Sequence, residues 1–463
     1  MLSATSSIAW YITKWYKQLM SRRLMKVIYK RPNQYISRLS MTSMFLLLVP
    51  LLALRTSVAV GLDDCCFSLV ESVPEELTFP SGSPVHPTTH QTWMNLISKA
   101  QSNIDIASFY WTLRNKDISP GDNSSWMGEE VFAALLNTGI RGNAKIRIVQ
   151  NIPSKINPAT DTADFVKLGA ADVQTLDFDE IFGAGLLHTK FWVVDDTHIF
   201  IGSANMDYRS LSQVKELGAV IYNCPSLALD LKKVFEIYWT VGVLGTVPSN
   251  WPDSFSTQYN AKTPLPVNLN NSAAQVYISS SPPPFSPKGR SDDLESILAG
   301  INEAEEFIYV AVMDFYPQMI YDSPKKGELW LVLETALKRA AIERKVQVRL
   351  LVSEWQSTKP EMKAFVASLG ELGKVFSIQT KKFVVPPLSR NRIIPFSRVN
   401  HNKYMVTDKR AFIGTSNWSG DYFTYTAGVG IHIFQEQIQQ QLKAIFLRDW
   451  ESQYTHDIYD NCS

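Results

Sequence analysis

Two histidines carry the chemistry that the sequence makes available. His188 is followed by Thr189 and Lys190, then by Asp195 and the turn Gly202-Ser203-Ala204-Asn205. His401 is followed by Asn402 and Lys403, then by Asp408 and the turn Gly414-Thr415-Ser416-Asn417. In His-x-Lys on a strand, the period of two sets both side chains on one face. An imidazole beside an ammonium suits a phosphate ester. One ring nitrogen attacks phosphorus while Lys and Asn donors hold the non-bridging oxygens. The second histidine protonates the leaving oxygen, then activates water against the phosphohistidine. Lys190, Asn205, Lys403 and Asn417 take the place of a metal, so neither metal nor cofactor is expected. Ser203 and Ser416 support the turns, and Asp195 and Asp408, just past the strands, are expected to brace the site rather than react.

A single His-x-Lys is common by chance, and a lone strand histidine is usually structural. Here two copies stand 213 residues apart with the same Asp spacing and the same Gly-x-x-Asn turn. They also fall at corresponding points of a repeat. Ile104–Trp111 and Phe307–Asp314 are β-branched or aromatic runs of strand length, each preceded by a helical stretch, 92–100 and 292–304. Each is followed by a second helical stretch, 128–138 and 329–344, and by a further predicted strand, 145–150 and 346–352. After its histidine motif each half closes on an amphipathic helix, 227–239 and 435–450. This alternation predicts an α/β fold of two layered domains, 63–247 and 291–463. The Pro/Ser/Asn-rich stretch 248–290 is expected to connect them as a stiff crossover through Ser281-Pro-Pro-Pro284.

Both segments resemble the twin signature of the phospholipase D superfamily. The wording around them is similar to one branch, the single-pass endolysosomal members three and four, which are 5′–3′ exonucleases on single-stranded DNA and RNA. The residues that carry this are Leu69–Pro74, Gly202–Leu211, Val214–Gly218, Val399–Thr407, Ile413–Gly420 and Phe446–Trp450, and the match spans roughly 65–460. The resemblance implies two α/β sandwich domains packed as a pseudo-dimer around one active site. It also gives Glu216, 28 residues past His188 on the next predicted strand, a role: a nucleophilic imidazole needs its other nitrogen oriented by an acceptor. The bland alternative is a solvated Glu beside Lys215. In the second half Tyr425 stands where the branch leads one to expect Glu, with Asp421 nearby. That asymmetry favours His188 as nucleophile and His401 as proton donor. Phe109, Tyr110, Trp111, Phe315 and Tyr316 end matched strands, where they either stack nucleobases or fill the core.

Net charge is +1, but residues 1–62 hold nine Lys/Arg and no acid, leaving 36 basic against 44 acidic residues and a balance of −8. Such a body is not a general polyanion binder. The apolar segment 44–62 reads as a signal anchor behind a basic cytosolic tail, 1–43, or as a cleaved signal peptide ending at Ser57-Val58-Ala59. A buried helix of the folded body is the remaining reading. Both membrane readings send 63–463 into the lumen of the ER, Golgi and endolysosome or out of the cell. Cys65, Cys66, Cys224 and Cys462 then favour disulfides over metal, with Cys65 or Cys66 reaching Cys224. Sequons at Asn123 and Asn270 are expected to carry glycans, Asn461 is a further one, and Asn417 is expected to be buried. A homodimer is compatible with this reading. Three functions stay in play: a nuclease on single strands in an acidic lumen, a phospholipase or transphosphatidylase on phospholipid, and a weakened binding protein on the same fold.

Overall fold

The strand Lys190–Val194 shows how the chain builds its layers: Phe191 and Val193 point to one core and Trp192 and Val194 to another. Such a strand is apolar on both faces because it is buried on both. The computed structural model describes residues 62–118, 123–321, 325–389 and 392–460. The tail 1–43, the segment 44–61, Asn461 and Cys462 lie outside them. Among the described residues no helix is long and apolar enough to cross a membrane.

Seven strands form the first sheet in the spatial order Asp172–Leu176, Lys145–Asn151, Asn103–Ser108, Lys190–Val194, His198–Gly202, Glu216–Tyr222 and Asp64–Ser72. The second sheet repeats that order with Ile378–Phe383, Gln347–Ser353, Phe307–Val312, Lys403–Thr407, Ala411–Gly414, Gly428–Phe434 and Ser272–Ser281. In both, the first three strands are parallel and the rest antiparallel. The helices Thr89–Lys99 and Trp126–Ile140 cover the outer face of the first sheet, and Asp293–Glu303, Val332–Glu343 and Pro360–Glu371 cover that of the second. The inner faces share one core with the closing helices Pro225–Leu244 and Glu436–Trp450. The expected pair of α/β layers around a common seam is therefore present.

The stretch 248–290 is more than a crossover. It contributes Leu265–Leu269 and Ser272–Ser281 to the second sheet, and Leu265–Leu269 pairs with Asp64 and Cys65 of the first. Its serines disguise the strand. Ser279 and Ser281 are fully buried because their hydroxyls are paired: Ser279 donates to Asp293 Oδ1 at 2.6 Å, and Ser281 to the carbonyls of Tyr422 and Thr426.

Burial raises the Asp293 carboxyl to about 7, with the Ser279 hydroxyl opposing. The folded pKa lies above the unfolded value, so this residue's contribution is complete below pH ~4 and is lost as pH rises towards 7. Asp293→Asn keeps the acceptor and removes the titration. Its advantage over the native chain in thermal unfolding is expected to grow by about 2–3 kcal/mol between pH 5 and 7.5. An advantage independent of pH would contradict a buried, titrating carboxyl.

The disulfide joins Cys65 to Cys224, tying the first strand to the start of the helix Pro225–Leu244. Among the described residues Cys66 is unpaired, and it is exposed. Asn123 is exposed, whereas the Asn270 amide is occupied, accepting from Phe67 N–H at 2.9 Å and donating to Phe67 C=O at 3.0 Å. Asn417 is 2% exposed, as a buried motif residue should be.

Candidate active site

Each histidine precedes a central strand and is fixed by the opposite half of the chain. His188 N–H donates to the Ala427 carbonyl at 3.0 Å, and His401 N–H to the Lys215 carbonyl at 2.8 Å. The side chains follow the same rule. His188 Nδ1 lies 3.0 Å from the Thr415 carbonyl, and His401 Nδ1 lies 2.8 Å from Glu216 Oε2, whose other oxygen accepts from Ser210 Oγ at 2.8 Å. Neither half alone holds an oriented histidine.

This corrects the expectation that Glu216 orients His188; it orients His401. The second half has no counterpart to it. Ser203 N–H bonds to the Leu217 carbonyl and Thr415 N–H to that of Val429, so the position matching Glu216 is Gly428. A Cβ there would lie 2.1 Å from Ser416 Oγ, which leaves no room for a carboxylate. Tyr425 caps the short helix Gly420–Thr424 and does not line the cleft, and Asp421 accepts from Ile320 N–H at 2.6 Å.

The two supports give the imidazoles different electrostatics. Burial, then the Lys190, Lys403 and His401 charges, hold His188 well below the usual histidine range, and a neutral carbonyl opposes them only weakly. Burial also lowers His401, but the Glu216 carboxylate works against it. A carbonyl on Nδ1–H fixes the tautomer that leaves the His188 Nε2 lone pair free, while a carboxylate favours an imidazolium. His188 thus suits a nucleophile and His401 a proton donor. The asymmetry runs opposite to the one expected from the sequence, with the carboxylate on His401 and the carbonyl on His188.

Lys190 Nζ donates to the His188 carbonyl, and Lys403 Nζ to the His401 carbonyl at 2.7 Å. Both ammoniums are buried. Desolvation lowers Lys190 well below its usual range and Lys403 to about 8, with Glu216 and Asp314 opposing the latter. Asn205 Nδ2 donates to Tyr110 Oη at 3.4 Å, and Asn417 Nδ2 to Asp314 Oδ2 at 2.9 Å and Tyr422 Oη at 3.3 Å. Lys190→Ala and Lys403→Ala are each expected to lower kcat/KM by about 100-fold, as lost oxyanion donors do. Unchanged steady-state rates would remove them from phosphate binding.

The histidines share a cleft of about 320 Å³ whose lining includes Asn205, Glu216 and Asn417. Tyr110, Asp314 and Tyr422 also line it, and the last two had no expected role. Ser108 pairs with Lys190 and Val312 with Lys403, so Tyr110 and Asp314 occupy matching places two residues past their strands. Laying the two strand runs over one another would have found Asp314. Its carboxyl is raised to about 6 by burial, with Lys403 and Lys359 opposing.

Other expected residues lie elsewhere. Asp195 accepts the N–H groups of Gln101, Ser102 and Asn103, and Asp408 those of Glu305, Glu306 and Phe307; they brace the starts of matched strands. The Ser203 hydroxyl is spent on Leu217, its counterpart being Thr415 rather than Ser416, and the buried Ser416 hydroxyl has no partner among the described residues. Trp111, Phe315 and Tyr316 belong to the outer cores, whereas Phe109 and Tyr110 reach the cleft. No residue of 248–290 lines it; Ile156, Tyr321, Trp355 and Phe396 do.

A family model described as "PLD3/4, PLD-like domain" matches residues 81–387. The chain is 48% identical over 404 residues to the 5′-3′ exonuclease PLD3 of Xenopus tropicalis, covering 85% of this chain and 81% of that protein. It is 47% identical over 403 residues to the 5′-3′ exonuclease PLD3 of Homo sapiens, covering 86% and 81%. Among solved structures, phosphatidylserine synthase of Haemophilus influenzae Rd KW20 is similar in fold, with a TM-score of 0.54 at 13% identity over 80% of this chain and 85% of that one. The chain belongs to the PLD3/4 family of phospholipase D-like proteins.

Proposed function

We propose that the chain is a phosphodiesterase of the 5′–3′ exonuclease type, acting on single-stranded DNA and RNA through a phosphohistidine. The carrying observation is one cleft holding two histidines with unequal supports, a carbonyl on His188 and a carboxylate on His401. In the first step His188 Nε2 forms a bond to phosphorus as the P–O bond of the leaving strand breaks. That oxygen takes the His401 proton. In the second step His401 accepts a proton from water, whose oxygen displaces Nε2 from phosphorus and frees His188. Lys190, Lys403, Asn205 and Asn417 hold the non-bridging oxygens through both steps. The relatives' names as 5′-3′ exonucleases support a nucleic-acid substrate and the polarity.

The body is placed in an acidic lumen behind the segment 44–62, acting as anchor or cleaved signal. The basic tail, the acidic body and the Cys65–Cys224 disulfide support this.

Exonuclease action from a 5′ end has a clean test. A 5′-labelled single strand should release labelled mononucleotide at once, and a circular single strand should survive. Cleavage of the circle would mean an endonuclease. Inertness toward nucleic acid, with turnover of a phospholipid, would move the assignment to lipid chemistry.

A further inference from the structure

The mouth of the cleft carries an aromatic ring that the phosphate chemistry does not use. Phe396 lines the cleft yet is 48% exposed, and its φ is 54°. That left-handed region costs a bulky residue energy, and it persists only where neighbours impose it. The neighbours are visible. Leu388 and Ile394 of the same loop bury against Tyr208. Arg209 donates through Nη1 to the Pro395 carbonyl at 2.7 Å and grips Asp207 through Nε and Nη2. Asp207 accepts the Tyr110 hydroxyl at 2.9 Å, and Tyr110 Oη accepts the Asn205 amide. One polar chain therefore ties an asparagine of the phosphate site to the loop that presents Phe396.

Four other rings that line the cleft are engaged with one another or with His188. Phe109 and Tyr422 lie 5.2 and 4.9 Å from the His188 ring, Tyr110 lies against Phe109, and Tyr321 against Tyr422. Phe396 makes no ring–ring contact among the described residues; its neighbour is the Arg209 guanidinium, 5.9 Å from the ring centroid. A rigidly held, half-exposed ring beside a phosphodiester site suits a flat ligand, and base–aromatic stacking tolerates any sequence because every base has a π-face.

We infer that Phe396 is a stacking platform for a nucleobase of the bound strand, holding it in register with the phosphate between His188 and His401. This rests on the nuclease reading and adds a positioning residue to it.

The test measures kcat and KM of the native protein, Phe396→Ala and Phe396→Tyr on two substrates: a single-stranded oligodeoxynucleotide and an abasic strand of equal length. Phe396→Ala should raise KM on the normal strand about ten-fold, with kcat nearly unchanged, while Phe396→Tyr stays near native. All three proteins should treat the abasic strand alike. A normal KM for Phe396→Ala, or an equal rise on both strands, would overturn the platform. A native protein that cleaves neither strand would overturn the nuclease reading and this inference with it; one that cleaves both, with Phe396→Ala indistinguishable, removes only the platform.

Discussion

His188→Ala and His401→Ala are each expected to lower kcat by ~10⁴-fold or more, the scale seen when one member of a coupled catalytic set is removed. Neither variant should lose its fold. The imidazoles face a cleft, and the hydrogen bonds that position their backbones, to Ala427 and Lys215, are made by main-chain atoms that alanine keeps. Steady-state rates beside thermal unfolding curves separate the two effects. Glu216→Gln should behave differently from either. It keeps an acceptor for His401 Nδ1 but loses the charge that favours the imidazolium, so the loss should deepen as pH rises. Substantial turnover in either alanine variant would remove that histidine from the chemistry.

The largest loss of stability is expected at a position outside the cleft. Lys215, next to Glu216 in the chain, is fully buried, with its ammonium 2.6 Å from Asp449 Oδ2 and 3.8 Å from Glu71 Oε1. Arg448 pairs with Glu71 at 2.6 Å and Asp449 at 2.9 Å. Burial pushes the Glu71 carboxyl up, but Arg448 and Lys215 together hold it below its ordinary range. The cluster joins the first strand of one half to the closing helix of the other. Asp449→Ala removes the nearest counter-charge of a buried ammonium and is expected to destabilise the protein by about 3–5 kcal/mol. Adding Lys215→Met should return part of that loss, because the stranded charge goes with it. Denaturant midpoints measure both. An unshifted midpoint for Asp449→Ala would mean that the cluster is not closed in solution.

The duplicated α/β order and the paired histidine motifs were legible in the sequence because strand runs of period two and short spacings are local signals. What was not legible crosses the seam. Glu216 and His401 are 185 residues apart and sit in opposite halves, so no spacing could pair them, and His188 was the nearer partner in the chain. Gly428 shows the same limit: its identity makes sense only once Ser416 is known to crowd it. The strand Ser272–Ser281 was read as linker because its buried end is written in serine, which signals a loop unless its hydroxyls have partners. Phe396 carried no pattern at all; a strained backbone and its loop's contacts with Tyr208 and Arg209 of the first half bring it to the cleft.

The claim that two unequal supports divide the work between the histidines is tested most directly by trapping the intermediate. His401→Asn protein would be mixed with a single-stranded oligonucleotide, quenched at alkaline pH and mapped by peptide mass spectrometry. The phosphoryl adduct is predicted on the peptide containing His188. An adduct on His401 in His188→Asn protein, with none on His188 in His401→Asn protein, would contradict it.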